Sequence, residues 1–461
     1  MFSHIVTFAQ RLMLLNGLLL LTLLVAAVMV LREPEAAHAR DDRPSPAEEM
    51  GFPDARDRLG NDLPLGRGVV MGHVEGGKAA YLPDLEASRF EGVEFTPVSG
   101  PSHLFKHAQQ TAAIAYGPRG LAPGVEDVRC YRTSHWLGGG FLRTGTPLPP
   151  AKAEVDVFSH SWVSDSSGHA EEILRRVDLV ADRDDTVFCV GVNNGRPSRV
   201  PRLLASAYNV IAVGTDSGAS SGAYTRVEGE GRCKPDIVGP QMMTSFTTPM
   251  VASCAARLIE AGRRLEGSAA ARARRSETIK AILLAGATKP WNWAPAKGKP
   301  LDERLGAGLV NVDHALEILL AGPAKPLTDA GEAAWDFRSA MPDSRLAYRF
   351  ENDEPGRDIS VALTWHRRVA GRSGFNVVKQ QPQWLDPARL ADFDLVLHYT
   401  SPSGQTGVIG RSESGVDNVE HIFIEQAPPG EYRLEVVRRP DGHDEPWDYA
   451  VAWRVGEAEL Q

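Results

Sequence analysis

Between residues 66 and 321 short apolar runs alternate with stretches of helical period, the sequence form of an α/β unit built on a parallel sheet. The apolar runs predict strands over 68–74, 155–159, 186–192 and 210–213. Residues recurring at three- and four-residue spacing predict helices over 107–115, 170–181, 248–265, 277–285 and 312–320. After Gly322-Pro323 the period changes to two. Segments 346–350, 359–365, 393–399, 419–425, 432–437 and 449–455 read as strands separated by Pro, Gly, Asp and Ser, which predicts a β-sandwich. The alternation Asp394-Leu395-Val396-Leu397-His398-Tyr399 fits a half-buried strand, and Pro428-Pro429-Gly430 fits a turn.

The N-terminus has a different pattern. Arg11 precedes an apolar run from Leu12 to Leu31 broken only by Asn16, Gly17 and Thr22, long enough to cross a bilayer as a helix. Ala37-His38-Ala39 then supplies the small-x-small pattern of a cleavage site. Residues 1–39 therefore read as a signal peptide or signal anchor that engages the membrane or the export machinery, with the rest of the chain outside the cytoplasm, periplasmic or secreted. Residues 40–65, rich in Arg, Asp, Pro and Glu, read as a flexible linker. The α/β domain takes 66–321 and the sandwich 322–461.

Composition narrows the function. Hydrophobic residues at 43% and charged residues at 24% are those of a globular protein, and 461 residues exceed one compact core. A net charge of -9 gives no field that would attract a polyphosphate, which argues against nucleic acid as partner. Arg263, Arg264, Arg272, Arg274 and Arg275 cluster locally and read as a solvated helix face. Of the four cysteines, Cys189 and Cys254 lie in apolar runs and read as small buried hydrophobes. Cys130 and Cys233, in polar surroundings, are the pair to bridge if any bridge forms. Neither CxxC nor a zinc-type His/Cys spacing is present, so no metal site is expected from these residues.

The strongest local signal is Met243-Thr244-Ser245-Phe246-Thr247-Thr248-Pro249-Met250, a small polar turn running into an apolar helical pattern. A serine there sits at a helix N-terminus, where free N–H groups and the helix dipole favour negative charge. A helix cap would explain Ser245 by itself. The segment also resembles the Gly-Thr-Ser-Met-Ala-Thr-Pro box around the nucleophile of subtilases, matching at Thr244, Ser245, Thr248 and Pro249. Lys234-Pro235-Asp236-Ile237-Val238-Gly239-Pro240 and Val210-Ile211-Ala212-Val213-Gly214 are similar to family segments in the same order. The resemblance implies a subtilisin-like three-layer α/β domain over 66–321, and Ala391-Asp392-Phe393-Asp394-Leu395, Gly415 to Glu420 and Pro429-Gly430-Glu431-Tyr432 resemble the jelly-roll-like accessory sandwiches of secreted proteases. It implies a serine endopeptidase acting on polypeptides with no required cofactor.

Carried over residue by residue, the resemblance makes Ser245 the nucleophile and His107, which opens an Ala-rich helix, the general base in preference to His103. The strand ending Val74-Glu75-Gly76-Gly77 puts Glu75 where the family has Asp, with Asp84 as the rival acid. A carboxylate there orients the imidazole and stabilises its charged form, and Glu serves if the backbone retreats by about one methylene. Val187 to Gly195 is similar to the family's strand ending Ala-Gly-Asn-x-Gly, which makes Asn193 the oxyanion-hole donor, or Asn194 if the register slips by one. Ser159, His160 and Ser161 resemble the edge strand against which substrate backbone pairs. Asp392, Asp394, Asp417 and Glu420 offer carboxylates to calcium, without EF-hand spacing. Two other readings use the same residues: an inactive subtilase fold that binds peptides, and an esterase.

Overall fold

A computed structural model describes residues 44–457 apart from 78, 167, 196–198, 377–380 and 386. The predicted leader, including the apolar run 12–31, lies outside the described residues. Among the described residues no helix is long and apolar enough to cross a membrane.

Seven strands form one parallel sheet: β1 (Val70–Glu75), β2 (Glu94–Pro97), β3 (Asp127–Arg132), β4 (Val157–His160), β5 (Val187–Gly191), β6 (Ile211–Thr215) and, after a two-residue ladder of β7 (Ala223–Tyr224) with β8 (Cys233–Lys234), β9 (Ile237–Gly239). Their order is β2-β3-β1-β4-β5-β6-β9. Both faces are covered, as a parallel sheet requires. Met71, Val157, Cys189 and Ile211 point to a core shared with the helices Lys106–Ala115 and Thr244–Arg263. Val74, Phe158, Phe188 and Ala212 point to the core under the helix Ala170–Asp184. The alternation along β1 therefore places His73 and Glu75 on the face that carries the first two helices.

The C-terminal part is two antiparallel four-stranded sheets. Ala333–Ala340, Trp447–Glu457, Arg357–Thr364 and Val419–Ala427 form one; Arg345–Asn352, Gly430–Arg438, Phe393–Thr400 and Thr406–Ser412 form the other. Tyr348, Trp365, Phe393 and Trp453 fill the space between them. The α/β layers followed by antiparallel sheets are the architecture the periodicity predicts. The sandwich packs on the α/β part, and together they form one compact unit. Trp335 Nε1 donates to Leu319 O at 3.0 Å, Thr364 Oγ1 to Glu277 O at 2.7 Å, and His366 Nδ1 lies 3.2 Å from Asp182 and 3.3 Å from Glu277.

Three expectations need correction. Residues 45–65 are not a flexible linker: Pro46–Glu49 and Phe52–Leu59 are helices, Ser45 caps the first, and Met50 and Ala55 are fully buried against the body of the domain. Cys130 and Cys233 are not bridged. Cys130 lies inside β3 and faces the core, and all four thiols are free and buried. The arginine cluster is not simply solvated. Arg263 pairs with Asp156 at 2.6 Å, Arg272 with Asp336 at 3.2 Å and Arg275 with Asp185 at 2.8 Å.

Candidate active site

Glu75 ends β1, and the helix Lys106–Ala115 packs on the same face of the sheet. That brings His107 over the strand end. His107 Nδ1–H donates to Glu75 Oε2 at 2.7 Å, and Thr111, one turn further along the helix, donates through Oγ1 to Glu75 Oε1 at 2.7 Å. Glu75 is buried, while the His107 side chain is 29% exposed. Burial by itself would raise the Glu75 pKa, but hydrogen bonds from His107 and His73 outweigh it and hold the carboxyl down at about 2. The same hydrogen bond raises the His107 pKa, against its partial burial. Phe105 and Phe246 flank the imidazole, with ring centroids 5.9 and 6.4 Å away. The β1 turn is tight: a Cβ on Gly77 would stand 1.7 Å from Ala80 O.

Asp84, the rival acid, is exposed on the loop after β1, and its backbone N–H donates to Gln109 Oε1 at 2.7 Å. His103 lies on the exposed loop before the helix.

Ser245 is the second residue of the helix Thr244–Arg263, which starts after Met243 in extended conformation. The start is anchored on the turn after β5: Thr244 N–H donates to Asn194 Oδ1 at 2.8 Å, and Thr244 Oγ1 to Val192 O at 2.6 Å. Pro249 lies four residues beyond Ser245 and has no N–H, so the Ser245 carbonyl loses its intrahelical donor. Ser161 Oγ takes that place at 2.9 Å. Gly191 lets β5 approach the helix, because a Cβ there would stand 3.1 Å from Thr248 Oγ1. Phe246, adjacent to Ser245, is the residue stacked on His107, so the serine end of the helix faces the imidazole. Ser245 Oγ makes no hydrogen bond among the described residues.

Asn193 turns away from the role expected of it. Its Oδ1 accepts from Asn194 N–H at 2.9 Å, and its backbone N–H and C=O bond Ser221 at 2.8 and 2.7 Å, the geometry of a turn. Asn194 is the amide beside the serine helix. Its Oδ1 accepts both Thr244 donors, which makes Nδ2 the donor end of that amide. Of the two asparagines, it is Asn194 that bonds the start of the serine helix. No sequence signal separates two adjacent asparagines.

The edge segment also behaves differently from expectation. Ser159 and His160 are buried, His160 against Trp136 at 4.6 Å between centroids, and desolvation pulls its pKa down to about 3. Ser159 and His160 are paired with β1 on one side and β5 on the other, so β4 is a central strand there and offers no edge for substrate backbone. Ser161 supports Ser245 instead. The acidic residues of the sandwich carry protein partners: Asp394 pairs with Arg439, Asp417 accepts from Ser414 Oγ at 2.7 Å and Cys233 N–H at 2.7 Å, and Glu420 accepts from Ser412 and from Ser414 N–H at 2.6 Å.

The chain matches no family model, and no curated protein matches it. Among solved structures it is similar to a protease from Pseudoalteromonas arctica PAMC 21717, at 17% identity over 59% of this chain and 94% of that one, with a TM-score of 0.33. It is similar to tripeptidyl peptidase 2 at 13% identity over 76% of this chain and 40% of that one, with a TM-score of 0.32. It is also similar to the Yersinia pseudotuberculosis-derived mitogen at 13% identity over 28% of this chain and 90% of that one, with a TM-score of 0.18.

Proposed function

We propose that the chain is a serine-type endopeptidase in which His107 is the general base for Ser245. The observation that carries this reading is the 2.7 Å hydrogen bond between His107 Nδ1 and a buried, ionised Glu75, with the N-terminus of the Ser245 helix against the same imidazole. A proton on Nδ1 leaves Nε2 as the basic nitrogen, the one that must take the serine proton. Hydroxyl-to-imidazole contacts are often loose before substrate binds, so the unbonded Ser245 Oγ is compatible with this role.

In the proposed reaction Ser245 Oγ attacks the peptide carbonyl as its proton passes to His107 Nε2. Ser245 N–H and Asn194 Nδ2 stabilise the oxyanion, the amide alone by about 3 kcal/mol. His107 then protonates the leaving amine, and water resolves the acyl-enzyme with His107 again as base. Glu75 compensates the imidazolium formed in each step. The work is proposed to lie outside the cytoplasm, on the strength of the apolar run 12–31 and the cleavage pattern after it.

Casein digestion by the purified protein tests the reading, with Ser245→Ala as control. Cleavage that disappears in Ser245→Ala supports an endopeptidase. Casein left intact by a protein that hydrolyses p-nitrophenyl esters through Ser245 would replace it with an esterase.

A further inference from the structure

A second imidazole stands behind the acid. His73 lies two residues before Glu75 on β1, on the same face, and its side chain is 1% exposed. Its Nε2 is 3.3 Å from Glu75 Oε1 and 3.2 Å from Thr111 Oγ1. We propose that His73 is a positioning residue for this active site: its Nε2–H bonds the Thr111 oxygen, whose hydroxyl proton is thereby aimed at Glu75 Oε1, and this leaves Oε2 fixed toward His107. The inference rests on the peptidase reading for its consequences in turnover, but not for the geometry itself.

The protons can be assigned from the partners. Thr111 has one hydroxyl proton, and its shortest contact is the carboxylate at 2.7 Å, so its oxygen is left to accept from His73. His73 Nδ1 is buried without a partner. A proton on Nδ1 would therefore be a buried N–H with no acceptor, whereas one on Nε2 points at Thr111 Oγ1 and lies beside Glu75 Oε1.

The arrangement answers a requirement specific to Glu. Glu has one more rotatable bond than Asp, so a carboxylate placed by χ angles alone is less well aimed. The Thr111 donor on Oε1, itself fixed by His73 Nε2–H, removes that freedom, with the His73 ring 3.3 Å from the same oxygen. Tyr116 meets the edge of the His73 ring at 5.8 Å and holds its orientation. The other titratable groups facing this carboxylate are His107 on the helix, Cys130 on β3 and Tyr116, while His160 on β4 lies on the opposite face of the sheet. None of them donates to Oε1.

The test uses the full chain with ring-labelled histidine. His107 is titrated by NMR, and kcat and KM are measured, for wild type, His73→Phe and His73→Gln. In His73→Phe the carboxylate is less well aimed, so the His107 midpoint falls by about 0.5–1 pH unit. Turnover falls roughly 10- to 100-fold with KM within about twofold. His73→Gln, whose amide reaches the same place, restores both. If His73→Phe does not fold, His73→Asn replaces it, because its amide is drawn back from Oε1. An unchanged midpoint in the variant lacking the donor overturns the proposal. A lowered midpoint in a protein that cleaves no peptide keeps the positioning role and removes the peptidase reading.

Discussion

An imidazole works as a base when its far nitrogen is held, and Glu75 holds Nδ1 of His107 at 2.7 Å. The residue-scale consequence is a pH profile. His107 must be neutral to accept a proton, and Glu75 raises its pKa, so the acid limb of kcat/KM should have its midpoint above the ordinary imidazole value of about 6.5. In Glu75→Gln the limb should move down and kcat should fall roughly 10³- to 10⁴-fold, because the ring loses both its orientation and its countercharge. A midpoint that ignores the substitution would remove Glu75 from the reaction. The two asparagines separate by the same reasoning. Asn194→Ala should lower kcat about 10²- to 10³-fold with little change in KM, and Asn193→Ala should act mainly on stability. The reverse ranking would return the donor role to Asn193. At this scale the pairing of His107 with Glu75 and the place of Ser245 at a helix start were legible from the order of the motifs. His73 and Thr111 were not, because a His inside an apolar strand and a Thr inside an Ala-rich helix carry no signal until the two elements are packed together.

The helix Thr244–Arg263 is where local sequence and catalytic geometry meet. Pro249 withholds one backbone donor, Ser161 from the end of β4 supplies another, and Gly191 lets β5 come close enough for Thr244 to bond the turn after it. Gly191→Ala would place a Cβ 3.1 Å from Thr248 Oγ1. We expect it to cost about 1–3 kcal/mol in chemical denaturation and to lower kcat, since the displaced helix start carries Ser245. A variant of wild-type stability and rate would show that the helix does not depend on this approach. The strongly apolar elements were legible in the sequence to within a few residues: β4, β5, β6 and the helices 170–184, 276–285 and 312–321 all stand near their predicted places. Strand β3 was not, because Arg129 and Arg132 break its apolar run, and β9 was hidden by its length. The helices at 46–59 were masked by charge and proline. They form because Ser45 and Pro46 make a capped start and because Met50 and Ala55 find a core to enter.

For the whole molecule, the sandwich docks on the α/β layers through buried polar contacts as well as apolar ones. His366, buried at that junction, sits between Asp182 and Glu277, and its pKa is raised: burial opposes the charge, but the two carboxylates outweigh it. A raised folded pKa stabilises the fold fully below the unfolded value of about 6.5, and the contribution is lost as pH rises through the folded value. Wild type should therefore lose Tm relative to His366→Gln on going from pH 6 upward, and parallel Tm curves would show that the histidine is not charged in the fold. The change from a three-to-four period to a period of two marked where the sandwich begins, whereas nothing in either pattern alone announced that the two parts pack as one unit. The central claim concerns the intact chain: a serine made reactive by the imidazole beside it. Incubation with a fluorophosphonate followed by peptide mass mapping tests it most directly. One adduct is expected, on Ser245, lost in His107→Ala and slowed in Glu75→Gln. A folded wild-type protein that takes up no label at Ser245 would contradict it.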